Sequence, residues 1–231
     1  MLRDHGVTQA WAGTYDALLH KDIAGANLRL VEECHKHGRG ILVPFGAVNP
    51  SLPDWEEDLR RCADDHKMPG IRLHPNYHGY KLDDPKFDRL LALAEERSLI
   101  VQIAVGLEDE RGHHRLVQVP DVVVTPLPAV LVKYPGVRVI LLNSFRAVGG
   151  EKLLPLATVN NVYAEIATIE SLGGIAKVLE KTPLPRLLFG SGAPFYYLEA
   201  ALLKLKESNL SDAQLAAIRH QNAEAIHCSG C

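Results

Sequence analysis

Arg186-Leu-Leu-Phe-Gly-Ser-Gly-Ala-Pro194 is an apolar run that ends in small residues, with a proline opening an amphipathic stretch beyond it. That order predicts a strand over 186–192 feeding a helix over 195–207 through a tight turn. The same alternation runs back through the chain. Apolar or β-branched runs near 8–14, 41–49, 70–75, 100–106, 137–144 and 162–168 read as further strands. Helical patterns lie near 22–37, 53–66, 86–97, 125–134, 150–159 and 170–181, with a last one near 211–226. Local signals support the boundaries. Asp84-Pro85 places an N-cap acid before a first-turn proline, and Ser211 with Gln214 forms a capping box. Gly38 and Gly136 follow helical patterns, as helix-terminating glycines do.

Seven strand–helix units in a row argue for a parallel sheet covered by helices. An open doubly wound sheet usually carries a glycine fingerprint after its first strand, and no G-x-G-x-x-G occurs here. The expected fold is α/β, a (β/α)8 TIM-type barrel with its first strand apparently missing, since Leu2-Arg-Asp-His5-Gly6 reads as the end of a helix. No linker divides residues 1–231, so a single domain is expected. Such a gap would leave unpaired strand edges at 8–14 and 186–192. Either upstream coding sequence lies before Met1, or a second protomer covers the seam as a homo-oligomer.

Composition excludes several classes. The 231 residues are 47% hydrophobic, with formal net charge -3 and pI near 6.4. That balance gives no basic excess for nucleic acid. No apolar run approaches the roughly 20 residues that cross a bilayer, and the N-terminus lacks a signal-peptide segment. A cytoplasmic protein without a membrane partner is expected. Cys34 and Cys62 read as small buried thiols, and Cys228-Ser-Gly-Cys231 at the chain end reads as a poor zinc site.

The segments Val43-Pro-Phe-Gly-Ala-Val-Asn49, Gly70-Ile-Arg-Leu-His-Pro-Asn76, Arg186 to Pro194 and Asn222-Ala-Glu224 resemble the amidohydrolase-like, metal-dependent hydrolase superfamily. The resemblance spans nearly the whole chain. It implies a barrel that hydrolyses amides, esters or lactones, or decarboxylates aromatic acids. It also implies a metal held by His-x-His on the first strand, a histidine after each of two middle strands, and an acid closing the last. The aligned positions here are Val105-Gly106, Asn143 and Gly192. The only His-x-His, His35-Lys-His37, falls in a helical stretch where the two side chains diverge. No metal ligands and no cofactor are therefore expected. A replacement zinc site built from His74, His78, Glu108 and Asp109 is the lesser alternative.

Strand parity places the chemistry. In Ile71-Arg72-Leu73-His74 the arginine and histidine share one face, and the helices must cover the other. The same argument turns Gln102, Tyr163 and Glu165 inward. Arg72 and Glu165 form either a structural pair or part of a site. Two long loops, 74–83 and 108–121, follow consecutive strands and should share the C-terminal mouth. His74, His78 and Glu108 are the candidate catalytic groups, histidine being poised near neutral pH. Arg72, Asn76, Gln102, Asp109, Arg111, His113, His114, Asn143 and Glu165 are the candidate contacts to a small polar or carboxylated molecule. The expected function is a hydrolase of that kind; the alternative is an inactive barrel that binds a ligand or a protein partner.

Overall fold

The computed structural model describes residues 2–107, 113–148, 156, 159 and 161–228. Its strands are β1 (Ala10–Ala12), β2 (Leu42–Pro44), β3 (Gly46–Ala47), β4 (Gly70–Leu73), β5 (Ile100–Ala104), β6 (Arg138–Leu142), β7 (Val162–Glu165) and β8 (Leu187–Leu188). All pair in parallel and in chain order, β1 with β2 and then β3 through β8. Only Phe45 separates β2 from β3, and its amide bonds the Ala12 carbonyl at 2.7 Å. Segment 42–47 is thus one strand with a one-residue break, and the order matches the seven expected strands. Among the described residues β1 and β8 do not pair with each other. A short turn, Arg3–His5, reaches across from Arg39, whose carbonyl accepts from Arg3, to Glu199, 3.0 Å from the His5 ring.

Helices follow the strands on the outside. In α1 (Ile23–His37) the buried Ile23, Ala26, Asn27, Leu30, Val31 and Cys34 recur every three or four residues, which is one helical stripe. Asp22 caps it by accepting from the Gly25 amide at 2.9 Å, and His35, Lys36 and His37 complement its carbonyl end. α2 (Trp55–Arg60) runs on into a wider turn, and α3 (Pro75–His78) is a single turn directly after β4. α4 (Pro85–Glu96) starts as the sequence predicts, with Asp84 accepting from Lys86 at 2.8 Å and Pro85 in the first turn. α5 (Leu127–Leu131), α6 (Ser144–Val148), α7 (Gly174–Leu179), α8 (Leu198–Glu207), α9 (Asp212–Ala216) and α10 (Asn222–Cys228) complete the described set. The Ser211 capping box is formed. The helix expected over 150–159 lies almost wholly outside the described residues.

Parity separates two cores. Ile71, Leu73, Val101, Ile103, Val139, Leu141 and Leu187 face the helices in the larger one. Phe45, Ile100, Ile140, Leu188 and Ile226 pack inside the barrel, with Trp11, Val43 and Tyr163 against them. Each fully buried side chain of this size contributes roughly 1.5–3 kcal/mol. Cys34 and Cys62 are free and buried, and burial pushes the Cys62 thiol up to about 12. The side chains of Cys228 and Cys231 fall outside the described residues. No described helix is long and apolar enough to cross a membrane.

Arg138 closes the lower end of the interior. Its guanidinium donates to the Ile226 carbonyl at 2.6 Å and to the Ser98 carbonyl, tying α10 under the strands.

Candidate functional site

Arg72 lies inside the barrel on β4, where parallel register sets it opposite Gln102 of β5. Its Nε donates to Gln102 Oε1 at 2.8 Å and its Nη2 to the Trp11 carbonyl at 3.0 Å. Nη1 makes no hydrogen bond among the described residues, although the side chain keeps some exposure. Desolvation pulls this guanidinium below its ordinary value, and the nearby Tyr15 and Glu165 oppose that. Gly13 makes the room: a Cβ there would stand 2.7 Å from Nη1 and 2.9 Å from Cζ. Tyr15 packs edge-on against Phe195, with ring centroids 4.5 Å apart, so both flank the arginine's side of the mouth.

Parity puts His74 on Arg72's face at the C-terminal end of β4. It is 2% exposed, and neither ring nitrogen has a hydrogen-bond partner among the described residues. Burial, then the Arg72 charge, then His78 lower its pKa to about 3. A buried polar group without a partner is uncommon in folded proteins. The His78 ring stands 6.1 Å away, edge-on. His78 Nε2 donates to the Ala17 carbonyl at 2.9 Å, and its own carbonyl accepts from Ser51 Oγ at 2.8 Å. His78 therefore clasps the segments after β1, β3 and β4 together.

Glu165 is 5% exposed and takes two backbone amides, Asn143 and Ala167, each at 2.6 Å. Desolvation raises its pKa, while those amides, Lys204 and Arg72 pull the other way. A Cβ on Gly190 would collide with this carboxylate, so the glycine lets β7 and β8 close up. Lys204 on α8 donates to the Ala167 carbonyl beside it. Arg72 and Glu165 feel each other's charge but share no hydrogen bond. The pairing considered from sequence is not formed, because β5 and β6 lie between their strands and Gln102 is adjacent.

The remaining candidates divide. Asn143, held at φ 56°, gives its side-chain amide to the Gly106 carbonyl at 2.9 Å. Asn76 donates to the Pro120 carbonyl at 3.1 Å, which joins the loops after β4 and β5 as expected. His113 is half-buried, whereas His114 is exposed and accepts from the Leu116 amide at 3.2 Å in a local turn. Glu108, Asp109 and Arg111 lie outside the described residues. Sequence reasoning missed the Trp11 carbonyl, Gly13 and Tyr15; a glycine directly after a short strand was the available signal. A groove of about 540 Å³ opens between α6 and α7, lined in part by Arg146, Thr168 and Lys177, and neither Arg72 nor His74 borders it.

At the last-strand position Gly192 has φ 61°, and the Tyr196 ring fills the space of any Cβ. Among the described residues no three His, Cys, Asp or Glu side chains gather closely enough to hold a metal ion. These donors do not by themselves fit such an ion.

The sequence matches the amidohydrolase family over residues 4–226. No curated protein matches it. Solved structures similar to it include 2,6-dihydroxybenzoate decarboxylase from Rhizobium (15% identity over 98% of this chain and 86% of that one, TM-score 0.77). An uncharacterised TIM-barrel protein from Bordetella bronchiseptica is similar too (16%, 99% and 80%, 0.76). The third is 5-carboxyvanillate decarboxylase from Novosphingobium aromaticivorans (15%, 98% and 78%, 0.74), which was crystallised with manganese. A dihydroxybenzoic acid decarboxylase from Polaromonas also holds manganese. These bound ions correct the expectation of no cofactor: a divalent metal is indicated for this family.

Proposed function

Because the chain belongs to the amidohydrolase family, we propose that it is an enzyme acting on a small carboxylated molecule at the C-terminal mouth of the barrel. One observation carries the reading. Arg72 is a part-buried cation held by Gln102 and the Trp11 carbonyl, and its Nη1 edge has no partner among the described residues. A guanidinium desolvated this far is costly unless an anion meets it, and its planar fork suits a carboxylate. Gln102 fixes the plane of the fork, Gly13 keeps the approach open, and Tyr15 with Phe195 offers an apolar wall.

Of the catalytic candidates, His78 spends its N–H on the Ala17 carbonyl and sets loop positions. His74 is neutral at any ordinary pH, so it serves as a hydrogen-bonding group. Aromatic carboxylic acids, the substrates named for two of the similar structures, are the first compounds to try. The test is calorimetric titration of the full chain with 2,6-dihydroxybenzoate and related acids, followed by assays for carbon dioxide release and for hydrolysis. Binding that Arg72→Met weakens about 100-fold supports the reading. Binding unaffected by that change would remove Arg72 from the site.

A second reading is a barrel that binds such a ligand and turns nothing over. The Tyr196 ring against Gly192 favours it, since the acid expected there has neither side chain nor space. Saturable binding with no product in either assay selects this reading.

A further inference from the structure

We propose that two copies of this chain associate about a two-fold axis through the apolar side chains that the segments after β1 and β8 leave exposed. Tyr15 and Leu19 flank the short 3-10 turn Asp16–Leu18, and Phe195 and Tyr197 lead into α8. In the order Tyr15, Leu19, Phe195 and Tyr197 they remain 40%, 76%, 64% and 83% exposed. The Tyr15 and Phe195 rings meet edge-on, which joins the two segments into one patch. The inference needs no ligand and stands apart from the carboxylate reading.

Area and charge choose the occupant. At about 200 Å² for a whole side chain of this size, the four expose roughly 500 Å² together. Two such patches face to face would remove about 1,000 Å² from water, the least that a specific interface buries. An isologous contact sets each patch against its own copy, so the patch must carry no uncompensated charge. This one qualifies, because its four side chains are uncharged. Asp16, beside Tyr15, is paired with Arg29 at 3.2 Å, and Glu199, beyond Tyr197, with His5 at 3.0 Å. An aromatic centre with a polar rim is the usual anatomy of a protein contact. An anionic membrane surface calls instead for a cluster of about four to eight basic residues. Lys21, two residues past Leu19, is no such cluster.

Side chains rather than strand edges must make the contact. β1 and β8 do not pair with each other among the described residues, yet part of each edge is taken. The Phe189 amide after β8 donates to the Ile218 carbonyl at 2.9 Å, and Asn222 donates to the Leu187 carbonyl at 2.8 Å. On β1 the Trp11 carbonyl accepts from Arg72. Strand addition from a second copy would have to break these bonds.

The test is sedimentation velocity of the full chain, without ligand, from roughly 1 to 100 µM. The unaltered chain should sediment as a dimer of its 25.4 kDa protomer. Leu19→Glu combined with Tyr197→Glu should weaken the dimer about 100-fold or more, because like charges then meet across the axis. Mixing that variant with one carrying Leu19→Lys and Tyr197→Lys should restore the dimer, a rescue that a misfolded variant would not give. A monomer throughout the range overturns the proposal. So does a dimer that the glutamates leave unchanged, or a mixture that stays monomeric. A monomer that binds phosphatidylcholine vesicles through these residues assigns the patch to lipid and overturns the proposal as well. If the glutamate variant does not fold, amide hydrogen exchange of the unaltered chain decides. Segments 15–19 and 195–197 must become protected as the protein is concentrated; exchange independent of concentration contradicts the proposal.

Discussion

Two arginines sit inside the same ring of strands, at opposite ends, and they are used differently. Arg138, at the lower end, gives its guanidinium to the carbonyls of Ile226 and Ser98. Arg72, at the upper end, is held on one side by Gln102 and Trp11 and is open on the other. A cation tied to two backbone carbonyls at the closed end is a fastening. One left half-satisfied, beside a histidine with no partner among the described residues, is the arrangement on which the proposed anion site rests.

The largest effect that would break this contrast is on stability. Arg138→Met should cost about 3 kcal/mol in urea unfolding, because it leaves two backbone carbonyls without their donor, the Ile226 one buried, and unfastens α10. Arg72→Met should cost less than about 1 kcal/mol, since it also removes a desolvated charge. Equal losses would mean that both arginines are structural. Gly190→Ala should cost about 2 kcal/mol by driving a methyl group into Glu165.

Acid sharpens the contrast further. The folded-state pKa of His74, about 3, lies below the value of an unfolded histidine, near 6.5. The unfolded chain therefore takes up the proton first. Stability from this group is complete above pH 6.5 and is lost as pH falls toward 3, by about 2 kcal/mol at pH 5. His74→Asn should flatten that part of the stability–pH curve, and a curve left unchanged would place the ring in water. The smallest effect is at Gly13. Gly13→Ala meets the flexible end of Arg72, so stability should change by less than about 1 kcal/mol while benzoate affinity drops about tenfold.

The barrel was legible in the sequence because period-2 strands and period-3.6 helices alternate without interruption, and the Asp84 and Ser211 caps mark two helix starts. Parity on Ile71-Arg72-Leu73-His74 was enough to send the arginine and histidine inward, because the apolar face had to meet the helices. Partner choice was not legible. Gln102 lies opposite Arg72 through strand register, and Glu165 lies three strands away, which no local pattern encodes. Nor could the sequence tell that His78 is bonded while His74 is not. That difference depends on where the Ala17 carbonyl falls, in a 3-10 turn some 60 residues earlier. His74 and His114 look alike as loop-side histidines, yet one is buried and the other exposed.

A crystal structure of the full chain soaked with a hydroxybenzoate tests the central claim most directly. The account predicts a carboxylate oxygen about 2.7–3.2 Å from Arg72 Nη1, with the Gln102 and Trp11 contacts intact. Ligand found only in the groove between α6 and α7, with the Arg72 edge untouched, would contradict it.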